Sequence, residues 1–271
     1  MIKIAAVQKH QFKIFYRPGT ADEAVLEESF DHDIFFPGTP EYHPKADHII
    51  IDIGAHIGCF SLLAASKVPA GKVYSFEPAQ DTYQLLKKNI QSNDFSNISS
   101  FQLAVAANNG AATLYHDIVT GNWGHSIVKR LSGDTEQVDC ITLEDFINRE
   151  NLSHIDFIKF NCEGSEFGII MNTPYEVLQK VKCMLILYHG YLEDSITKEQ
   201  MANYLIKAGF HIHYRRRNKD DDSGSMIAYR AGFMENIAVI TRTIPLRISL
   251  ATKEFKRKLR RLKQIVFKKA S

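Results

Sequence analysis

The residues best suited to chemistry form a glycine turn between an apolar run and a helix-like segment. Asp52 ends the run His48–Asp52, and Gly54 and Gly58 follow it. Glycine lets a backbone approach a ligand without interference from a Cβ atom, and the start of a helix presents unpaired N–H groups to it. The turn therefore predicts a binding site for a small molecule.

A second carboxylate, Glu77, ends the next strand-like segment, Lys72–Glu77. In nucleotide-binding sheets an acid at this place accepts hydrogen bonds from ribose hydroxyls. The glycine spacing matches neither the dinucleotide-binding pattern nor a phosphate-binding loop. Two acids beside a glycine turn suit a ligand with a ribose and a positive charge, and S-adenosylmethionine has both. The alternative is that the glycines only permit tight strand–helix packing and that Glu77 is a surface acid.

The segments around these residues alternate between strand-like and helix-like patterns. The predicted strands cover about 48–52, 72–77, 99–106, 155–160, 183–188, 210–216 and 236–243. The predicted helices begin near 57, 79, 143, 165 and 197. This order predicts an α/β protein with a doubly wound, mostly parallel Rossmann-like sheet and helices on both faces. Residues 111–140, with short β-like pieces, are interpreted as an insertion.

Three segments are predicted along the chain: a leader or cap at 1–47, the α/β domain at 48–245, and a basic amphipathic helix at 246–271. Nine Lys/Arg and one Glu lie within 252–271. This tail could pack on the domain or on a second subunit of a homo-oligomer, rest on an anionic membrane surface, or contact nucleic acid.

Composition is that of an ordinary globular protein. The chain has 271 residues, of which 45% are hydrophobic and 24% charged, and these values exclude a collagen or a wholly disordered chain. No apolar run approaches the roughly 20 residues of a membrane span, and no signal peptide is recognised. The four cysteines form no C-x-x-C pair, which argues against a zinc or redox site. We expect a cytoplasmic protein, peripheral to the inner membrane surface if the tail binds lipid.

Three segments, Ile50–Ala65, Tyr74–Pro78 and Ile158–Glu166, resemble the FkbM-type methyltransferases. These are class I enzymes that use S-adenosylmethionine, and many methylate hydroxyls of sugars or polyketides. The similarity extends over about residues 20–215 and implies the same fold, cofactor and activity here.

The resemblance also implies roles for residues of the cofactor site. Gly54, Ala55 and Gly58 would border the amino-acid part of the cofactor, with Asp52 below the turn. His56 belongs to the same turn, at a position where the family usually has Asn. Glu77 would bind the ribose hydroxyls, and the segment 103–106, which includes Val105, would border the adenine.

The catalytic residues are harder to assign because the sequence departs from the family. Asn161 replaces the usual Asp and can neither take a proton nor add charge to a metal site, so no metal is expected. His189 stands where the family often has a Glu and is the candidate base, or else a histidine satisfied by loop hydrogen bonds. Glu163 would orient substrate or cofactor, whereas Glu166 could be an acid favoured by a helix N-terminus.

A loop within the insertion, with His125 and Trp123, is the candidate lid, and Trp123 could stack on a sugar or pack on the surface. The expected function is O-methylation of a hydroxyl on a sugar, glycan or polyketide-like metabolite, with that small molecule or glycan as the partner. The alternatives are a nucleic-acid methyltransferase that uses the tail, or a cofactor-binding protein that has lost catalysis. Nucleic acid is not favoured, because the basic charge is confined to 252–271.

Overall fold

The computed structural model describes residues 2–31, 34–36, 39, 41–116, 125–128, 134–192, 195–217 and 223–230. The predictions made for Trp123, for a strand at 236–243 and for a helix at 246–271 lie outside these residues. No helix of the described part has the length and apolar character that crossing a membrane requires.

The described strands and helices follow the alternation expected from the sequence. The strands are β1 Lys3–Val7, β2 Phe12–Tyr16, β3 Ile49–Ile53, β4 Lys72–Phe76, β5 Ile98–Phe101, β6 Ala104–Val105, β7 Gly110–Tyr115, β8 Thr135–Ile141, β9 Ile155–Phe160, β10 Val181–His189, β11 His211–Arg217 and β12 Ser223–Tyr229. The helices are α1 Ala21–Leu26, α2 Cys59–Lys67, α3 Gln80–Gln91, α4 Leu143–Arg149, α5 Ser165–Asn172, α6 Tyr175–Leu178 and α7 Lys198–Lys207. A π-helical turn covers Glu27–Asp31, and short 3₁₀ turns cover Gln8–His10 and Gly190–Leu192.

The central sheet has seven strands in the order β11-β12-β10-β9-β3-β4-β5. The pairs of β3 with β4 and β9, of β4 with β5, and of β9 with β10 are parallel, whereas β12 is antiparallel to both of its neighbours. The chain first runs outward from β3 to β5 and then returns to build the other half from β9. This topology confirms the predicted doubly wound, mostly parallel sheet, and it places a crevice between β3 and β9, where ligands bind in such folds.

Burial explains why the central strands read as nearly continuous apolar runs. All six residues of β9 are buried, as expected for a parallel strand covered on both faces. One core cluster joins side chains of α2 and α3 to one side of the sheet, and a second joins α4, α5 and α7 to the other. Helices on both faces thus hold the strand ends in fixed relative positions.

Apolar side chains of the leader, the segment predicted at 1–47, pack into the same core cluster as α2 and α3. Its hairpin of β1 and β2 contributes Phe12 and Ile14 to that cluster. Tyr42 stacks on Phe157 of β9 with the ring centroids 4.4 Å apart. The boundary drawn at residue 47 stays a prediction, as do the other segment limits.

The structure differs from the sequence interpretation in two places. The predicted strand at 99–106 divides into β5 and β6, and β6 joins β7 and β8 in a separate three-stranded sheet that forms part of the insertion. The strand that follows β11 is β12, at Ser223–Tyr229, between the strands predicted at 210–216 and 236–243, where the sequence pattern predicts none. Antiparallel strands can be joined by a short loop, without a crossover helix. The sequence before β12 therefore has no helical pattern from which a following strand could be inferred.

Candidate active site

A cleft opens at the carboxyl ends of β3, β4 and β9, where the order of the strands reverses. Seven of the ten residues predicted for the site line it: Gly54, Ala55, His56, Glu77, Val105, Asn161 and Glu163. The other three, Asp52, Gly58 and His189, are not among the lining residues. The predicted cofactor and catalytic residues therefore converge on one region, although not all of them face a ligand.

The glycine turn depends on two close backbone approaches. Gly54 has φ +75°, and a Cβ atom on it would lie 1.9 Å from the backbone oxygen of Asn161. The N–H groups of Gly54 and Ala55 both donate to the carbonyl oxygen of Phe76, at 3.1 and 2.8 Å. Gly58, with φ +92°, precedes α2, and a Cβ there would meet Leu86 at 2.6 Å. Any larger residue at position 54 would push the end of β9 away from the turn.

Beneath the turn, a buried ion pair links β3 to β9. Lys159 Nζ donates to Asp52 Oδ1 at 2.9 Å and to the carbonyl oxygen of Gly54 at 2.6 Å. Ser61 Oγ donates to the other Asp52 oxygen at 2.6 Å. Asp52 thus lies below the turn, where the family resemblance places it, and it contacts Lys159 and Ser61. Sequence reasoning used Lys159 only as part of a motif, although a lone lysine in an apolar strand signals a buried partner.

Glu77 presents a buried carboxylate to the cleft. Its Oε2 accepts the N–H of His56 at 2.9 Å and its Oε1 accepts the N–H of Ala79 at 3.0 Å. Burial raises the pKa of Glu77 to about 7, although the two N–H donors and the charges of Lys159 and Arg17 act in the opposite direction. Each oxygen keeps a second lone pair, with which it can accept a ligand hydroxyl.

Val105 belongs to an apolar part of the cleft lining. It is buried in β6 and lines the cleft beside Leu103 and Ala104. These side chains offer an apolar wall of the kind that a flat aromatic base can contact.

Two glutamates flank the ring of His189. Glu166 Oε1 accepts the backbone N–H of His189 at 2.6 Å and lies 3.1 Å from the ring Nδ1. Its Oε2 accepts the N–H of Gly164 at 3.1 Å. On the other side of the ring, Nε2 lies 3.6 Å from Glu163 Oε1. Burial alone would lower the pKa of His189, but the hydrogen bond and the charge of Glu166, and the charge of Glu163, raise it to about 9.

This geometry favours a role for His189 other than the base predicted from the sequence. With a pKa of about 9, the ring is an imidazolium at neutral pH and lacks the lone pair that a base needs. Glu166, interpreted as a possible helix-terminal acid, is fully buried and holds His189 in place. Glu163 is the carboxylate of this group that lines the cleft.

His125 also lines the cleft, and its ring centroid lies 4.6 Å from that of His116. The lid stays a prediction, because most of its loop lies outside the described residues. Within the described ranges, no group of three or more His, Cys, Asp or Glu side chains is arranged to hold a metal ion.

The strand order, with a cleft at its switch point, defines a Rossmann-like fold of the class I methyltransferase type. Residues 52–212, more than half of the chain, match the model of the methyltransferase FkbM domain. The chain therefore belongs to the FkbM methyltransferase family.

Relatives that carry methyltransferase names agree with this assignment. "Methyltransferase 1" of Beauveria bassiana is 28% identical in an alignment of 192 residues that covers 62% of this chain and 76% of the relative. "Methyltransferase sdnD" of Sordaria araneosa is 26% identical in an alignment of 211 residues that covers 67% of this chain and 80% of the relative. The solved METTL16 methyltransferase domain is 16% identical, covers 79% of this chain and 70% of its own, and has a TM-score of 0.46. This TM-score marks a distant likeness, whereas the strand order and the family match define the fold.

The close approach at the turn can be tested with a pair of glycines of similar conformation. Gly54→Ala should lower the free energy of unfolding by about 2–5 kcal/mol, since the left-handed backbone costs alanine ~1–2 kcal/mol and the collision with Asn161 adds ~1–3 kcal/mol. Gly19→Ala is the control, because Gly19 has φ +72° but nothing within 4 Å of its Cβ position. Urea unfolding measures both variants. Equal losses would show that the collision has no cost.

The charge of His189 can be tested by titration. Its ring resonances should shift with a midpoint near pH 9, and Glu166→Gln should lower that midpoint because it removes the adjacent negative charge. A folded-state pKa above the usual ~6.5 stabilises the protein fully below pH ~6.5, and this contribution is lost as the pH rises through about 9. Wild-type stability should therefore fall over this range more steeply than that of His189→Gln. A midpoint near 6.5 would restore His189 as a candidate base.

Proposed function

We propose that this protein transfers the methyl group of S-adenosylmethionine to a hydroxyl oxygen of a sugar, glycan or polyketide-like metabolite. The observation that carries the proposal is the placement of Glu77 at the cleft, one strand away from a glycine turn that lies at the switch point of the sheet. The family match supports methyl transfer.

The residues of the cleft fit the parts of S-adenosylmethionine. Glu77 offers two carboxylate oxygens to the ribose hydroxyls, and the wall formed by Leu103, Ala104 and Val105 suits the adenine. The turn at Gly54 and Ala55 has no bulky side chain, so the amino-acid part can lie against the backbone. When bound, the sulfonium supplies a methyl group that is already electrophilic.

Methylation of an alcohol makes two further demands on the protein. The acceptor oxygen must be held in line with the methyl group, at about 3–3.5 Å, and its proton must have a destination. Glu163 lines the cleft and can accept that proton on a carboxylate oxygen. His189 and Glu166 lie behind it and fix its position through the 3.6 Å contact between His189 Nε2 and Glu163 Oε1. Asn161 can donate a hydrogen bond to an acceptor but cannot take its proton.

The cofactor part of the proposal is tested by calorimetric titration with S-adenosylmethionine and S-adenosylhomocysteine. The wild type should bind both, and Glu77→Ala should lose at least tenfold in affinity, because two buried hydroxyl bonds at ~1 kcal/mol or more each disappear. Affinity should rise as the pH increases through about 7, since the ionised carboxylate is the better acceptor. Glu199→Gln, at an exposed position of α7, is the control and should bind normally. A folded wild type that binds neither compound would refute the proposal.

The acceptor part is tested by screening hydroxylated compounds, beginning with nucleotide sugars and glycans, for transfer of a labelled methyl group. For an acceptor so found, Glu163→Gln should lower kcat by ~10²–10⁴-fold, the usual contribution of a positioned base, and leave cofactor affinity nearly unchanged. Product analysis should place the methyl group on oxygen. Transfer to nitrogen or carbon, or cofactor binding without any transfer, would refute O-methylation as the function.

A further inference from the structure

The leader reaches the glycine turn through one buried carboxylate. Asp22, in α1, is fully buried. Arg17 holds it with three hydrogen bonds, from the backbone N and Nε to Oδ2 at 2.7 and 2.9 Å and from Nη2 to Oδ1 at 2.8 Å. Arg17 also donates to Thr82 Oγ1 of α3 at 3.2 Å. The carboxylate is thus fixed to the leader and, through Arg17, to α3.

Asp22 also meets the cofactor turn directly. Its Oδ1 lies 3.4 Å from Nε2 of His56. His56 has φ +53°, a left-handed conformation that costs a residue other than glycine free energy and persists only where the surroundings enforce it. In that conformation its backbone N–H donates to Glu77 Oε2 at 2.9 Å. Asp22 contacts the side chain of the same residue whose backbone N–H bonds Glu77. A change in the Asp22–His56 contact should therefore also shift the hydrogen bond that orients the Glu77 carboxylate.

Asp22 is suited to this task because it stays charged. Burial alone would raise its pKa, but the hydrogen bonds from Arg17 and the nearby charge of His56 outweigh burial and lower it. A buried carboxylate holds a nearby imidazole strongly because little solvent screens the interaction.

We propose that Asp22 is a positioning residue for the cofactor: through His56 it holds the glycine turn in the conformation in which Glu77 binds the ribose. The inference rests on the proposed function, since it assumes that Glu77 binds a nucleoside. It assigns a binding role to a segment that precedes the family match at 52–212. Further along the leader, Val25, Ser29 and Phe35 line the same cleft. The leader therefore forms part of the cleft wall in addition to supplying Asp22.

The test measures S-adenosylhomocysteine affinity by calorimetry in a double-mutant cycle. Asp22→Asn keeps the shape of the side chain but removes its charge, and it should weaken binding roughly tenfold, the effect of losing one charge-assisted contact. His56→Gly adopts the left-handed conformation without a side chain for Asp22 to hold. In the His56→Gly background, Asp22→Asn should therefore cause no further loss.

Asn93→Ala is the matched control for a general loosening of the leader. Asn93 bonds the backbone N and O of Lys13 at 2.8 and 2.9 Å and so ties the hairpin to the end of α3 without touching Asp22. Its affinity should stay within about twofold of the wild type, a difference well below one hydrogen bond. Thermal unfolding of every variant shows whether binding and stability change together.

The outcomes separate this inference from the function on which it rests. No binding by the folded wild type would overturn both. Wild-type affinity in Asp22→Asn, an equal loss in Asn93→Ala, or additive losses in the double variant would overturn the role of Asp22 alone. If Asp22→Asn does not fold, His56→Ala removes the same contact from the cleft side, because alanine has no polar side-chain atom, and leaves Arg17 paired. That variant should lose affinity by the same factor, and wild-type affinity in it would overturn the proposal.

Discussion

The ion pair between Lys159 and Asp52 is the interaction on which the site depends. It lies between the two strands at which the sheet changes direction, and both partners are buried. Removing one partner of a buried pair leaves an uncompensated charge, which typically costs ~3–5 kcal/mol. Lys159 also bonds the carbonyl oxygen of Gly54, and Ser75 and Ser61 extend the network from β4 and α2 to Asp52. The ammonium group of Lys159 thus holds both Asp52 and the backbone of Gly54 in place against β9.

Above this pair, two carboxylates join neighbouring loops in the same way. Glu77 accepts backbone N–H groups from His56, in the loop after β3, and from Ala79, which precedes α3. Glu166 accepts those of Gly164, in the loop after β9, and of His189, at the end of β10. Each acid satisfies donors that the strand ends leave unpaired, and each holds two adjacent loops at a fixed separation. Glu77 and Glu166 therefore have two roles: they place negative charge at or near the cleft, and they link the loops that surround it.

The sequence predicted the parts of the structure that are governed by local pattern. The apolar run that became β9 and the glycine turn after β3 were both found, because burial on two faces and close backbone approach leave a mark within a few residues. The partners of Lys159 and Asp22 were not found. Lys159 forms its ion pair with Asp52, which lies 107 positions earlier in the chain. No local sequence pattern around either residue identifies the other as its partner. His189 ends β10, close to the strand end at which the sequence pattern places it, but the charge of its ring depends on Glu166, 23 positions away.

The leader shows why a family resemblance and a folding unit need not share a boundary. The matched region begins at residue 52, where glycines and charged residues must satisfy strict backbone geometry. The leader contributes mainly apolar and aromatic contacts, such as that between Phe36 and Phe60, whose ring centroids lie 5.4 Å apart. Many different sequences can form such contacts as long as the total side-chain volume is conserved. The family model can therefore begin at a residue that follows a segment of the same core. Among the described residues of the leader, the pair of Arg17 and Asp22 carries a geometric demand of the same kind as those of the turn, because both oxygens of a fully buried carboxylate must be satisfied.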